Sequence, residues 1–184
     1  MSVCYLHIGG KKTGSTSIQY AIKHNQSALL RRGYYVGDHL GKLEDKNLAT
    51  LLMNEEDENN YAPYLNYVSD LKKYQKDGIN GAIISAESLC DLHIPEIERL
   101  YLLLNELFDC VQVVIFVRRQ DVVAASHYST ALKGGGTSKR LMSLGMGKRG
   151  KRAFSFGSIL RDWAHVFGLR NIYVRRYIER WEGT

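Results

Sequence analysis

"HIGGKKTGSTSIQ", residues 7–19, is the stretch on which the reading of this chain turns. An apolar run from Val3 to Ile8 leads into it. Apolar residues at helical spacing follow it, at Ile18, Ala21, Ile22, Ala28 and Leu29. The pattern predicts a strand, a loop rich in Gly, Lys and Thr, and a helix from Ser15 to about Arg32. Glycines let a backbone approach a ligand closely, and the amides that open a helix point at an anion that the helix dipole favours. Thr13, Ser15 and Thr16 add hydroxyl donors, and Lys12 supplies a point charge from inside the loop. Such a loop suits a phosphate-like group.

Working outward, "GAIISA" at 81–86 is a compact apolar run that ends at Glu87. "VQVVIFV" at 111–117 is another, followed at once by Arg118 and Arg119. "GYYVG" at 33–37 reads as a short strand and "NIYVR" at 171–175 as the last one. Pro95 with Glu96 and Glu98 opens a helix, since proline and acidic side chains both suit a first turn. Two more helices are expected, from about Asp121 to Leu132 and from Phe156 to Phe167. Tyr64, Tyr67, Val68, Leu71 and Tyr74 form a helical stripe that reads as core, and "NEEDENN" at 54–60 as an acidic surface connection. Apolar strands alternating with helices predict an α/β fold, three-layer α/β/α with a mostly parallel central sheet. In such sheets ligands collect at the carboxyl ends of the strands. Three loops should converge there: residues 9–16, 85–88 and 118–129.

The bulk composition sets the limits. A chain of 184 residues is expected to form a single domain, 1–184, with a real core. A net charge of +6 and a pI near 9.2 favour anionic partners in general without choosing among nucleotides, acidic glycans and nucleic acid. The basic residues form no recognised reading helix, so sequence-specific nucleic-acid binding is not expected. No segment approaches the ~20 apolar residues of a membrane span, and the N-terminus lacks a secretory pattern. Cys4, Cys90 and Cys110 are scattered and odd in number, as reduced thiols of a cytoplasmic protein would be, and no metal site is expected.

Gly9-x4-Gly14-Ser15-Thr16 has the frame of the nucleotide P-loop, G-x-x-x-x-G-K-[ST], but Ser15 stands where the lysine belongs. Positive charge has moved upstream to Lys11 and Lys12. No apolar strand ends in an aspartate that would hold Mg²⁺. "YLHIGGKKTGSTSIQ" resembles the 5′-phosphosulfate loop of sulfotransferases that use 3′-phosphoadenosine 5′-phosphosulfate (PAPS). The likeness is greatest to bacterial ones, whose loop reads close to H-I-G-x-x-K-T-G-T-T-S-[IL]-Q. Ser15 keeps the hydroxyl of the family's threonine, while Lys11 stands where a proline is common. The resemblance implies a P-loop nucleoside-triphosphate-hydrolase-like fold and cofactor contacts from Gly10, Lys11, Lys12, Thr13, Gly14, Ser15, Thr16 and Ser17. "VVIFVRRQDVVAASHYS", 113–129, resembles the family's second motif, whose arginine and serine bind the 3′-phosphate of PAPS; Arg118 and Ser126 match them. An arginine at a strand tip and a hydroxyl two helical turns along can embrace one phosphate. The competing reading of this stretch is an Arg119–Asp121 surface pair with the serine facing solvent.

The family's reaction passes a sulfuryl group from PAPS to an acceptor hydroxyl or amine and releases adenosine 3′,5′-bisphosphate, without metal. Lys12 would stabilise charge on the leaving phosphate oxygen. A base must take the acceptor's proton. Glu87 is the first candidate, against a bland role pairing a loop cation or capping the next helix, and His39 the second. His7 reads as a packed core residue, and a helix would turn His127 away. "KGGGTSKRLMSLGMGKRGKR", 133–152, combines glycine mobility with Lys148, Arg149, Lys151 and Arg152, as a lid that steers an acidic glycan or as a solvated loop. "FGSILRDWAHVFGLRNIYVRRYIE" also resembles the bacterial proteins, with Trp163, Val166 and Phe167 taken as packing. The family's chains continue further, so some C-terminal elements that help bind acceptor are expected to be missing. The acceptor implied is a carbohydrate or a glycolipid. Two alternatives stand: a P-loop kinase-like phosphotransferase, and a non-catalytic relative that binds the nucleotide or a polyanion.

Overall fold

The computed structural model describes residues 1–36, 46–53, 68–69, 71–73, 79–135 and 154–178. His39, the acidic run 54–60, Tyr64, Tyr67, Tyr74 and the basic loop from 136 to 153 fall outside these.

The chain opens with β1 (Val3–His7), then α1 (Ser15–His24) and α2 (Gln26–Arg31). β2 (Tyr34–Val36), α3 (Lys46–Met53) and β3 (Gly81–Ser85) follow, with a 3-10 turn at Glu87–Asp91. Next come α4 (Ile94–Leu107), β4 (Cys110–Val117), α5 (Gln120–Lys133), α6 (Phe156–Phe167) and β5 (Ile172–Arg176). Among the described residues the strands form one sheet in the order β2-β3-β1-β4-β5, and every pairing is parallel.

That order follows from connection rules. The link from β1 to β2 runs one way across the sheet, and the links from β2 to β3, β3 to β4 and β4 to β5 run the other way. Right-handed crossovers then place α1 and α2 on one face and the later helices on the opposite one. Burial agrees. Cys4, Leu6, Ala82, Ile84, Val113 and Ile115 share one face by register and are fully buried. They form one core with Leu48 and Leu52 of α3, Leu100 and Leu104 of α4, and Ile159 and Trp163 of α6. The opposite face carries Tyr5, Ile83, Gln112 and Val114, only half-buried.

α4 starts where expected. His93 caps it, its backbone N–H donating to Glu96 Oε2 at 3.0 Å. The helix expected to run unbroken from Ser15 to Arg32 is instead two. Asn25 ends the first by donating its Nδ2 to the Ala21 carbonyl at 2.8 Å, a local bond by which asparagine competes with helix propagation. The predicted apolar face is also turned: Ala21 is exposed, Ile18 and Ile22 are half-buried, and Ser15 and Gln19 are the buried positions of α1. Leu71 of the tyrosine stripe is in the core.

Trp163 lies under the sheet with its ring stacked 5.4 Å from Phe167. Trp163→Ala is expected to lower unfolding stability by about 3–5 kcal/mol, as large-to-small changes of buried aromatics do. Urea denaturation of the two proteins measures it, and a change within 1 kcal/mol would deny Trp163 its central place.

Candidate functional site

The loop between β1 and α1 sits where the two directions of crossover part, at the carboxyl end of the middle strand. It takes its shape from residues that can adopt positive φ: Gly9 at 81°, Gly10 at 122° and Gly14 at 82°. A methyl group on Gly9 would come 2.6 Å from the Glu87 Cα, so the loop and the end of β3 are in direct backbone contact. A methyl on Gly10 would collide with the Phe116 carbonyl of β4. The glycines therefore let the chain pass between its two neighbouring strands.

Inside the loop the hydroxyls of Thr13 and Ser15 both turn onto the Gly10 carbonyl, the latter at 3.5 Å, and both residues are buried. They brace the loop, while Thr16 and Ser17 keep exposed positions on the first turn of α1. Gly14 is the N-cap and brings no side chain to the amides that open the helix.

The two lysines separate. Lys11 pairs with Asp91 at 2.6 Å. Burial pulls its ammonium down, but the hydrogen bond and charge of Asp91, aided by Cys90 and Glu87, outweigh that and raise its pKa. Lys12 reaches the other way and donates to Thr130 Oγ1 at 2.9 Å. Thr130 in turn bonds the Ser126 carbonyl one helical turn back, at 3.0 Å. Arg118 leaves the tip of β4 and donates from Nη1 to the Lys12 carbonyl at 3.1 Å. Its guanidinium lies over the Tyr177 ring, 5.2 Å from the centroid. Arg119 turns outward into a surface pair with Asp121, at 2.8 Å, which is the pair that the competing reading of this stretch named.

All three predicted loops thus meet. The structure links Lys12, Arg118 and the Ser126 turn through named contacts and sets the Glu87 backbone against Gly9. His7 is buried at the end of β1, with Nδ1 2.7 Å from Ser85 Oγ and Nε2 without a hydrogen-bond partner among the described residues. His127 packs edge-on against Phe154 at 5.6 Å, yet its pKa is lowered by desolvation and then by the charges of Lys12 and Lys11. Three participants escaped the sequence reading. Thr130 could have been found as a hydroxyl one turn beyond Ser126 on the same helix face. Asp91 and Tyr177 carry no local signal. Among the described residues no cluster of His, Cys, Asp and Glu could hold a metal ion, and no helix is long and apolar enough to cross a membrane.

A five-stranded parallel sheet in this order, with a glycine-rich loop between its first strand and helix, defines an α/β fold of the P-loop NTPase-like type. No family model and no curated protein matches the chain. Among solved structures it is similar to a sulfotransferase from Alicyclobacillus acidocaldarius, with a TM-score of 0.54 and 12% identity over 96% of this chain and 73% of that one. It also aligns with a gluconokinase from Sinorhizobium meliloti 1021, at 13% identity over 97% of this chain and 83% of that one. The TM-score of that pair is 0.39, too low to carry weight. At these identities the likeness to the sulfotransferase is one of fold.

Burial without charge lowers the His7 pKa from 6.5 to about 4. A histidine that binds its proton more weakly when folded stabilises the fold above pH 6.5, and the contribution is lost as pH falls toward 4. The difference is worth about 3 kcal/mol. Urea unfolding at pH 7 and pH 4 should therefore show wild type losing that much more than His7→Gln. Equal losses would mean that His7 is not held neutral.

Proposed function

We propose that this chain is a sulfotransferase that passes a sulfuryl group from PAPS to a hydroxyl or amine of an acceptor, a carbohydrate or a glycolipid. The observation that carries this reading is the bond from Arg118 Nη1 to the Lys12 carbonyl at 3.1 Å, which joins two cationic motifs 106 positions apart at one end of the sheet. PAPS presents two separate anionic groups, a 5′-phosphosulfate and a 3′-phosphate, and two adjacent anchors suit such a ligand. The pairing of the two lysines supports the same view, because Asp91 takes Lys11 while Lys12 bonds a neutral hydroxyl, Thr130 Oγ1 of α5.

In this reading Lys12, the amides of Ser15 and Thr16, and the exposed hydroxyls of Thr16 and Ser17 hold the 5′ group. Arg118 and Ser126 hold the 3′-phosphate. Bound PAPS supplies the sulfuryl group to be moved. Lys12 and the helix-opening amides stabilise the negative charge that builds on the leaving phosphate oxygen, and being fixed beforehand they need little reorganisation. Glu87 stands on the β3 side of the loop and takes the acceptor's proton, with His39 as the second candidate. The three free cysteines fit a reducing cytoplasm.

Calorimetric titration tests the nucleotide. Adenosine 3′,5′-bisphosphate is expected to bind without metal and more tightly than ATP with Mg²⁺. Lys12→Ala and Arg118→Ala should each weaken it by roughly 1.5–3 kcal/mol, the range for hydrogen bonds to charged groups. Tighter binding of ATP with Mg²⁺ would transfer the assignment to a kinase-like phosphotransferase. Turnover of labelled PAPS on glycans and glycolipids tests the reaction. Glu87→Gln should stop turnover and keep nucleotide affinity; retained turnover would remove Glu87 as the base.

A further inference from the structure

Lys12 has a φ of 62°, in the left-handed region, and it is the one non-glycine residue there among the described residues. A side chain disfavours that conformation, so neighbouring contacts must hold it. Arg118 supplies one by donating to the Lys12 carbonyl. Two residues on, Gly14 lies beneath the Tyr177 ring, where a methyl would come 2.6 Å from Cε2. Tyr177 is fixed in its turn, since its N–H donates to the Val117 carbonyl at 2.8 Å and the Arg118 guanidinium covers its ring. The contacts form a closed circuit: Lys12 to Arg118, Arg118 to Tyr177, Tyr177 to Gly14, and Gly14 back along the loop to Lys12. Both Arg118 and Tyr177 stand at strand exits, on β4 and just past β5, so the circuit ties the loop to the sheet.

We propose that Arg118 and Tyr177 are positioning residues for the loop, and that through them the two anion positions are coupled. A guanidinium carries five N–H donors, so Arg118 can hold the Lys12 carbonyl and an anion at the same time. An anion that fixes Arg118 thereby fixes the peptide that aims Lys12 and the start of α1. One end of the ligand prepares the site for the other. The identity of the two anionic groups rests on the sulfotransferase reading; the circuit itself does not.

The test uses adenosine 5′-phosphosulfate, which lacks the 3′-phosphate, and amide hydrogen exchange of residues 12–14 in the ligand-free chain. Arg118→Lys keeps the charge and loses the planar fork, and Tyr177→Ala removes the ring. Each is expected to bind adenosine 5′-phosphosulfate about fivefold more weakly than wild type, Arg118→Lys by loss of one hydrogen bond and Tyr177→Ala by loss of the ring that backs Gly14 and Arg118. Each should also exchange the amides of residues 12–14 faster. Tyr177→Phe keeps the ring and should match wild type in both. An arginine that served only its own anion would leave both readouts unchanged. Unchanged affinity for adenosine 5′-phosphosulfate, or unchanged exchange, in both Arg118→Lys and Tyr177→Ala overturns the proposal. Tighter binding of ATP with Mg²⁺ by wild type would instead overturn the choice of nucleotide, and the exchange measurement would still decide the circuit.

Discussion

Gly9 and Gly10 leave β1 in backbone conformations that side chains avoid, because β3 and β4 stand too close on either side for anything larger. The rest of the candidate site depends on that passage. The central strand of a parallel sheet is flanked on both edges, so a chain leaving it must cross the neighbouring strand ends before it can begin a helix. With bulk at Gly9 the loop would be pushed off Glu87, and with bulk at Gly10 off Phe116. The passage fixes where Lys11 and Lys12 emerge and sends them to opposite sides. One reaches the 3-10 turn after β3, the other α5.

Charge is sorted by the same geometry. Lys11-Lys12 and Arg118-Arg119 are two adjacent cationic pairs at the ends of neighbouring strands. In each pair an aspartate takes one member: Asp91 holds Lys11 and Asp121 holds Arg119. Of the other members, Lys12 reaches Thr130 of α5 and Arg118 reaches the Lys12 carbonyl of the loop. Four cations crowded at one sheet end would repel each other, and the two aspartates reduce that repulsion. The Arg119–Asp121 pair is exposed and contributes little to stability. Its effect is to hold Arg119 outward, away from Arg118.

What could be read in the sequence was what local pattern encodes. The buried strands announced themselves as apolar runs, and Phe156–Phe167 has helical spacing from end to end. The order of strands was not legible, since it depends on crossovers rather than composition. The break at Asn25 was missed because apolar spacing on either side continued in phase while the asparagine side chain bonded its own backbone. For the candidate site, motif spacing singled out Lys12, Arg118 and Ser126, and the structure brings Lys12, Arg118 and the turn at Ser126 to one end of the sheet. Asp91 and Tyr177 were missed for a physical reason. Each acts on a partner distant in sequence, and neither type at its position departs from an ordinary loop residue.

The distribution of buried polarity argues for the same place without any motif. The buried polar residues among those described are His7, Thr13, Ser15, Gln19 and Ser85. All five lie in the loop, in the first turns of α1, or at the strand ends beneath it. Burying such groups is unfavourable unless they are hydrogen-bonded, and elsewhere in this core the residues are apolar. His7 and Ser85 satisfy one another, and Thr13 and Ser15 share the Gly10 carbonyl. His7 Nε2 and Gln19 Nε2 are left without partners among the described residues. A fold concerned with stability alone would fill these positions with apolar side chains, as it does one residue earlier at Leu6 on β1 and Ile84 on β3. The gathering of these five buried polar residues at one end of the sheet is what a site shaped for polar chemistry would require.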